Sequence, residues 1–176
     1  KSNGIRGDYI EYWENGNKKR EGEYMVNSPL GKHTFYYETG IIKEEGIYVK
    51  GKKEGEWRTY WDEGQKRDIE NYKNGKLSGK RLSYRKDGSL CYVNNYLDGK
   101  EDGKFLLYNE NGIITIKGNY KKGYKHGLWK FYYEDGRPAT KGSFHNNYQH
   151  GQWLYLYEDK KMSRLIRRQN YDASSE

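Results

Sequence analysis

A ring or large apolar group returns every twelve residues along this chain. Tyr stands at 12, 24, 36, 48, 60, 72, 84, 96, 108, 120 and 132, and Phe144 and Leu156 continue the series. Glycine resolves a longer period of 24 residues. One column is Gly7, Gly31, Gly55, Gly79, Gly103, Gly127 and Gly151; a second is Gly16, Gly40, Gly64, Gly88, Gly112 and Gly136. A third holds Gly22, Gly46, Gly118 and Gly142, with Glu70 and Asn94 in the gaps. Such a period marks an array in which each unit buries its face against its neighbours. It predicts one repeat domain over 1–176, with units near 7–30, 31–54, 55–78, 79–102, 103–126, 127–150 and 151–168 and a tail at 169–176.

Composition fits an array better than an ordinary core. Mean hydropathy is −1.31, and hydrophobic and charged residues each make up 33%. Yet 16% of residues are aromatic, and disordered chains are poor in aromatics, so this polarity is not disorder. No stretch approaches 18 apolar residues, the length of a transmembrane helix. The single cysteine, Cys91, excludes an intrachain disulfide framework. The chain starts at Lys1, so a removed leader stays open.

The second glycine column marks turns: Asn15-Gly16, Thr39-Gly40, Glu63-Gly64, Asp87-Gly88, Asn111-Gly112 and Asp135-Gly136. Read as two-residue loops with φ > 0 at both positions, these pairs set Trp61 opposite Lys66, Trp57 opposite Glu70 and Gly55 opposite Tyr72. The other turn, at Gly51-Lys52, Gly75-Lys76 and Gly99-Lys100, reads as a type II′ turn or a longer loop. As a two-residue loop it sets Tyr72 opposite Gly79 and Gly46 opposite Trp57. One face of the third unit then carries Gly55, Trp57, Thr59, Trp61, Lys66, Asp68, Glu70 and Tyr72; the other carries Glu56, Arg58, Tyr60, Gln65, Arg67, Ile69 and Asn71. The first face is rich in rings and glycine, the second is charged. This alternation predicts an all-β fold: an elongated, single-layer, twisted antiparallel meander of about fourteen strands in seven β-hairpin repeats. Rings should cover bare glycine backbone, Tyr72 over Gly55 and Gly79, Trp129 beside Gly118 and Gly142. Where Arg81 replaces Trp, its neighbours become Glu70 and Asn94, and the fourth unit is expected to have the weakest apolar face.

The unit reads Gly-x-Trp-x-x-Tyr-x-x-x-Gly followed by Gly-x-Tyr-x-x-Gly-Lys, as in 55–64, 127–136 and 46–55. It resembles MORN repeats, specifically the bacterial variant of YwqK-type antitoxins, over about residues 7–158. The resemblance implies an open sheet of hairpins. Its antitoxin-like version implies a partner toxin to neutralise and a cytoplasmic setting. Residues 159–176 depart from the pattern, with Lys160 in place of the turn glycine and Arg168 in place of Tyr.

Catalytic signatures are missing: no zinc-protease, nucleophile-elbow or paired CxxC motif occurs. Gly46-x4-Gly51-Lys52 imitates a phosphate loop, but Lys53 follows where Ser or Thr is required, and Gly118-x4-Gly123 repeats the spacing. His126 and His150 occupy equivalent turn positions two strands apart, about 10 Å, too far to share one ion easily. His33 replaces Trp in its column, and Cys91 reads as an inert thiol. The residues imply no catalytic site, no metal and no cofactor.

Two binding surfaces are candidates. A net charge of +8 is unevenly spread. Residues 103–126 hold Lys104, Lys117, Lys121, Lys122 and Lys125 against Glu110 alone. Lys117, Lys121, Lys122 and Lys125 are the set for an anionic lipid, polysaccharide or nucleic acid, with nucleic acid the least favoured. The other candidate is an aromatic row beside the hairpin loops, Trp13, Tyr37, Trp61, Tyr133 and Tyr157, with Arg85 and Asn109 between. Rings at a hairpin end have few neighbours to bury them, and Trp, Tyr and Arg dominate interface energetics. The expected function is non-enzymatic protein binding; the row either is its contact surface or extends the core to the sheet edge.

Overall fold

The computed structural model describes residues 6–156 and the backbone of residues 165–171. The chain divides into two compact units, Lys1–Ser89 and Leu90–Glu176. The first contains β1 (Arg6–Tyr12), β2 (Lys18–Met25), β3 (Ser28–Tyr36), β4 (Ile42–Val49), β5 (Lys52–Tyr60), β6 (Lys66–Lys73), β7 (Lys76–Leu77) and β8 (Gly79–Tyr84). Its strand order is β1-β2-β3-β4-β5-β6-β8, with β7 paired to β6. The second contains β9 (Leu90–Leu97), β10 (Lys100–Glu101), β11 (Gly103–Tyr108), β12 (Ile114–Lys121), β13 (Tyr124–Tyr132), β14 (Pro138–His145), β15 (Tyr148–Leu156) and β16 (Leu165–Tyr171). Its order is β9-β11-β12-β13-β14-β15-β16, with β10 paired to β9. Neighbours pair antiparallel throughout, as in β5 with β6 and β13 with β14. This is the meander of hairpins that the spacing predicts. The sixteen segments are its fourteen strands, because β7 with β8 and β10 with β11 are each one strand broken at a single residue, Ser78 or Asp102.

The mid-strand register is as expected: Gly55 pairs with Tyr72, Trp57 with Glu70 and Thr59 with Asp68. The turns are not. The Glu63-Gly64 loop has three residues rather than two. Gly64 N–H donates to the Trp61 carbonyl at 2.9 Å, and Trp61 N–H to the Gln65 carbonyl at 2.8 Å. Only Gly64 takes positive φ, +94°, which makes a type I turn closed by a left-handed residue. A bulge between Thr59 and Tyr60 absorbs the extra residue, so Tyr60 rather than Trp61 faces Lys66. The two-residue turns with two positive φ values lie at the other end of the strands. Lys50-Gly51, Asn74-Gly75, Asp98-Gly99 and Lys122-Gly123 are examples, one residue earlier than the Gly-Lys reading placed them. Asn74-Gly75 and Asp98-Gly99 carry the preferred type I′ chemistry.

Ring-over-glycine packing holds for the third glycine column and fails for the first. A Cβ on Gly46 would sit 2.2 Å from Trp57, on Gly118 2.2 Å from Trp129, on Gly142 2.1 Å from Trp153 and on Gly22 2.3 Å from His33. Each ring therefore covers the glycine of the preceding strand only; Trp129 lies over Gly118, and Gly142 belongs to Trp153. A Cβ on Gly55 meets no atom within 4 Å, so Tyr72 does not cover it. Gly55 instead has φ +69°, at the bulge where the β4–β5 register shifts.

Edge-to-face rings run along this face. In the first unit Tyr24, His33, Tyr48 and Trp57 follow at centroid distances of 5.1, 4.9 and 4.9 Å. In the second, Phe105–Tyr120–Trp129 and Phe144–Trp153 repeat the geometry at 5.7, 5.1 and 5.0 Å, the preferred arrangement of aromatic quadrupoles. Trp57, Trp129, Trp153 and His33 are buried. Each ring N–H reaches the backbone carbonyl of the residue that follows its covered glycine in the preceding strand, as Trp57 Nε1 does to Ile47 at 3.2 Å and His33 Nε2 to Glu23 at 2.8 Å. His33 is thus a true substitute for Trp in its column.

The fourth unit is the expected exception, and its physics is ionic. Arg81 pairs with Asp68 and Glu70, each at 3.1 Å, and both carboxylates are buried. Burial works against the charge on Asp68, but the Ser83 hydrogen bond and the Arg81 and Arg67 charges hold its pKa below the usual value. Arg81 therefore neutralises two buried carboxylates, so this patch is not the cheapest to disrupt.

Candidate binding surfaces

The loop-margin row sits where the three-residue turns place it. Trp13, Tyr37, Trp61 and Tyr133 are all half-buried, and so are Arg85 and Asn109 between them; Tyr157 lies outside the described residues. Most of the row is tied to the hairpin one repeat further on. Trp13 Nε1 donates to the Tyr36 carbonyl at 3.3 Å, Tyr37 OH to Tyr60 at 2.8 Å, Asn109 Nδ2 to Glu134 at 2.8 Å and Tyr133 OH to Leu156 at 2.8 Å. Trp61 differs: its Nε1 has no hydrogen-bond partner. A cation caps each ring, Lys19 on Trp13 at 4.8 Å, Lys43 on Tyr37 at 5.6 Å, Arg67 on Trp61 at 5.6 Å and Arg137 on Tyr133 at 5.9 Å. The row is therefore a fixed set of half-covered rings. Beside Trp13 it opens into a cavity of about 520 Å³ lined by Tyr12, Glu14, Asn15, Lys19 and Glu38.

The four candidate lysines do not form one patch. Lys125 lies on the ring-rich face, 4.9 Å over Trp129 and 5.3 Å over Phe144. Lys121 and Lys122 are exposed at the β12–β13 turn, where Lys122 N–H donates to Asp102 at 3.1 Å. Lys117 is on the opposite face, over the Tyr132 ring at 5.6 Å.

That opposite face holds a feature the residue columns missed. Each unit has a shallow concavity beside a ring-covered glycine. In the first unit it measures about 220 Å³ and is lined by Lys32, Glu45, Gly46, Ile47, Glu56 and Arg58. In the second it measures about 360 Å³ and is lined by Leu128, Lys130, Lys141, Gly142, Ser143, Gln152, Trp153 and Leu154. The positions correspond at a constant offset of 96 residues: Lys32 becomes Leu128, Thr34 becomes Lys130, Glu45 becomes Lys141, Glu56 becomes Gln152 and Arg58 becomes Leu154. The first concavity is internally neutralised, by Lys32–Glu45 at 3.1 Å and Arg58–Glu56 at 2.6 Å. In the second, neither Lys130 nor Lys141 has an ion-pair partner among the described residues. The strand sequences carried the signal, since β12, β13, β14 and β15 contain no Asp or Glu.

Other candidates resolve simply. Gly46 lies in β4 under Trp57 and Gly51 in a β-turn, with a strand following, so the phosphate-loop spacing reflects the repeat. His145 stands between His126 and His150, at centroid distances of 5.4 and 6.3 Å. Among the described residues no group of His, Cys, Asp and Glu comes together as a ligand set. Cys91 is half-buried and free.

A comparison with curated proteins found no match. The sequence profile described as the MORN repeat variant matches residues 6–25, 29–50, 53–74, 101–122 and 125–146, more than half of the chain. The matched segments skip 75–100, where β8 carries Arg81 and a strand breaks at Ser78. Repeats of this kind generally serve as modules that bind proteins or membranes. Five hairpins with this glycine and ring spacing, found at these positions, place the chain in the MORN repeat variant family.

Proposed function

We propose that this chain is a non-enzymatic scaffold that binds another protein along the loop-margin row, with Trp13, Tyr37 and Trp61 in the first unit and Tyr133 in the second as contact residues. The supporting observation is the fixing of half-exposed rings by hydrogen bonds to the next hairpin. Pre-held aromatics lose little side-chain entropy on binding, which is what makes a ring an efficient anchor. The Trp61 ring contributes through its exposed edge, since its indole N–H is buried. The resemblance to antitoxins supplies the specific version, a toxin-neutralising partner complex.

The test is co-expression with the product of the adjacent gene, followed by size-exclusion chromatography and calorimetry. Trp61→Ala should weaken the complex by about 2 kcal/mol with a far smaller loss of fold stability. An unchanged affinity would remove the row from the interface. A second reading, an anionic polymer or surface as ligand, is favoured by the acid-free strands β12–β15. It makes binding fall steeply between low and moderate salt, and makes Lys117, Lys121 and Lys122 sensitive instead of Trp61.

A further inference from the structure

Lys117 pairs directly with Lys130, and Lys130 directly with Lys141, across β12, β13 and β14. Directly opposed side chains have Cβ atoms about 4.5–5.5 Å apart, and like charges there are destabilising. The first unit avoids this arrangement. Its corresponding column runs Glu21, Thr34, Glu45, Arg58, Ile69, with each charge set against a neutral or opposite residue. Tyr36 and Tyr60 add their phenol O–H groups to Glu21 and Glu45. In the second unit Lys117 rests on Tyr132, while Lys130 and Lys141 line a concavity. Ser143 and Gln152 contribute a hydroxyl and an amide to its lining, and Leu128 and Leu154 contribute apolar walls.

We propose that this concavity binds the oxyanion of a phosphate or sulfate ester, with Lys130 and Lys141 supplying the charge, Ser143 and Gln152 supplying neutral donors, and Leu128 and Leu154 packing against the body of the ester. A tetrahedral oxyanion offers several oxygens to converging donors, and charge-assisted hydrogen bonds are the stronger kind. The volume of about 360 Å³ is at the lower end of small-molecule sites. The site is independent of the loop-margin row, so neither reading depends on the other.

The experiment is a titration of the full chain with inorganic phosphate and with phenyl phosphate at low ionic strength, followed by amide NMR. Saturable binding is expected, tighter for phenyl phosphate because of the leucine walls. Shifts should centre on Leu128–Lys130, Lys141–Ser143 and Gln152. Lys130→Gln with Lys141→Gln should weaken binding at least tenfold, and Lys141→Glu, which restores the acid of the first unit, should abolish it. Lys52→Gln with Lys76→Gln removes two lysines from the first unit and should leave binding unchanged. Equal loss in that control, or shifts spread over the lysines of both units, would overturn the proposal. So would absence of saturation at 10 mM ester (about 2.7 kcal/mol in affinity terms), or binding to phosphatidic-acid vesicles with none to phenyl phosphate.

Discussion

The two concavities share a floor and differ in charge. Both lie beside a glycine covered by Trp from the next strand, Gly46 under Trp57 and Gly142 under Trp153. One is closed by its own ion pairs; the other presents two lysines without a counter-charge among the described residues. The amount of charge does not explain this. Residues 1–89 hold 19 basic and 15 acidic residues and residues 90–176 hold 14 and 10, a net +4 in each. The difference is placement. Described acids of the second unit sit at turns and strand ends, such as Asp98, Glu110, Glu134 and Asp135, and leave β12–β15 without one. In an array of this kind the ring-rich face carries the packing, so the other face is free to change sign from repeat to repeat.

If that division is right, the ring-rich faces should respond alike. Trp57→Ala and Trp129→Ala should each cost about 3–5 kcal/mol in urea titrations, since both indoles are buried and both cover a glycine. Losses differing by more than about 1 kcal/mol would mean that the halves do not share one packing rule. Gly46→Ala and Gly118→Ala should show the same parity at about 1–3 kcal/mol, because a Cβ 2.2 Å from the ring forces the indole to move.

Arg81→Ala comes next. It leaves Asp68 and Glu70 buried with less positive charge, and removing one member of a buried pair costs about 3–5 kcal/mol; with the Arg81 side chain 25% exposed, about 2–3 kcal/mol is expected. The pH dependence gives an independent check. The folded-state pKa of Asp68 is depressed, so its stabilisation is present above the unfolded value near 3.9 and fades as pH falls through the lower folded value. Arg81→Ala should shrink this acid-labile component; an unchanged acid limb would show that Arg81 does not hold the charge.

The hairpin array, its mid-strand register and the Arg81 exception were legible because period, face alternation and column gaps are sequence quantities. Turn type was not, because Asn-Gly and Asp-Gly serve both loops. At Asn15-Gly16 the glycine closes a three-residue turn, whereas at Asn74-Gly75 both residues adopt positive φ. The same glycine symbol also hides two causes, close approach at Gly46 and positive φ at Gly55. The loop-margin rings can be read from their column, but the bonds of Trp13, Tyr37 and Tyr133 to the next hairpin depend on how the turns stack. The concavity escaped notice because its signal is a change of residue down a column, Glu45 to Lys141, rather than a conserved-looking motif.

A smaller effect separates the tyrosine rows. Burial first, and then hydrogen bonds to Glu21 and Glu45, push Tyr36 and Tyr60 up to about 12. A phenol with a raised folded pKa contributes stability that is complete below about pH 10 and is lost as pH rises through 12. Ultraviolet titration should therefore show late-ionising phenols. Tyr60→Phe should remove one, and Glu45→Gln should bring Tyr60 to a lower pH. Loss of no late phenol in Tyr60→Phe would contradict the carboxylate pairing on this face.

The smallest effect tests the charge column itself. Lys141→Glu places a carboxylate opposite Lys130, as Glu45 stands opposite Arg58. It replaces a like-charge pair with an opposite one, worth about 0.2–1 kcal/mol in a sheet. The side chains are partly exposed, so the gain belongs near the lower end and should fade in high salt. The reciprocal Glu45→Lys should lose more than that, since it also deprives Lys32 of its partner and Tyr60 of its acceptor. Stabilisation by the first substitution and destabilisation by the second would establish that the second unit retains a repulsion which the first has neutralised. A Lys141→Glu variant less stable than the original chain at low salt would show that Lys130 and Lys141 are not in conflict, and the contrast between the two concavities would then be one of composition without energetic consequence.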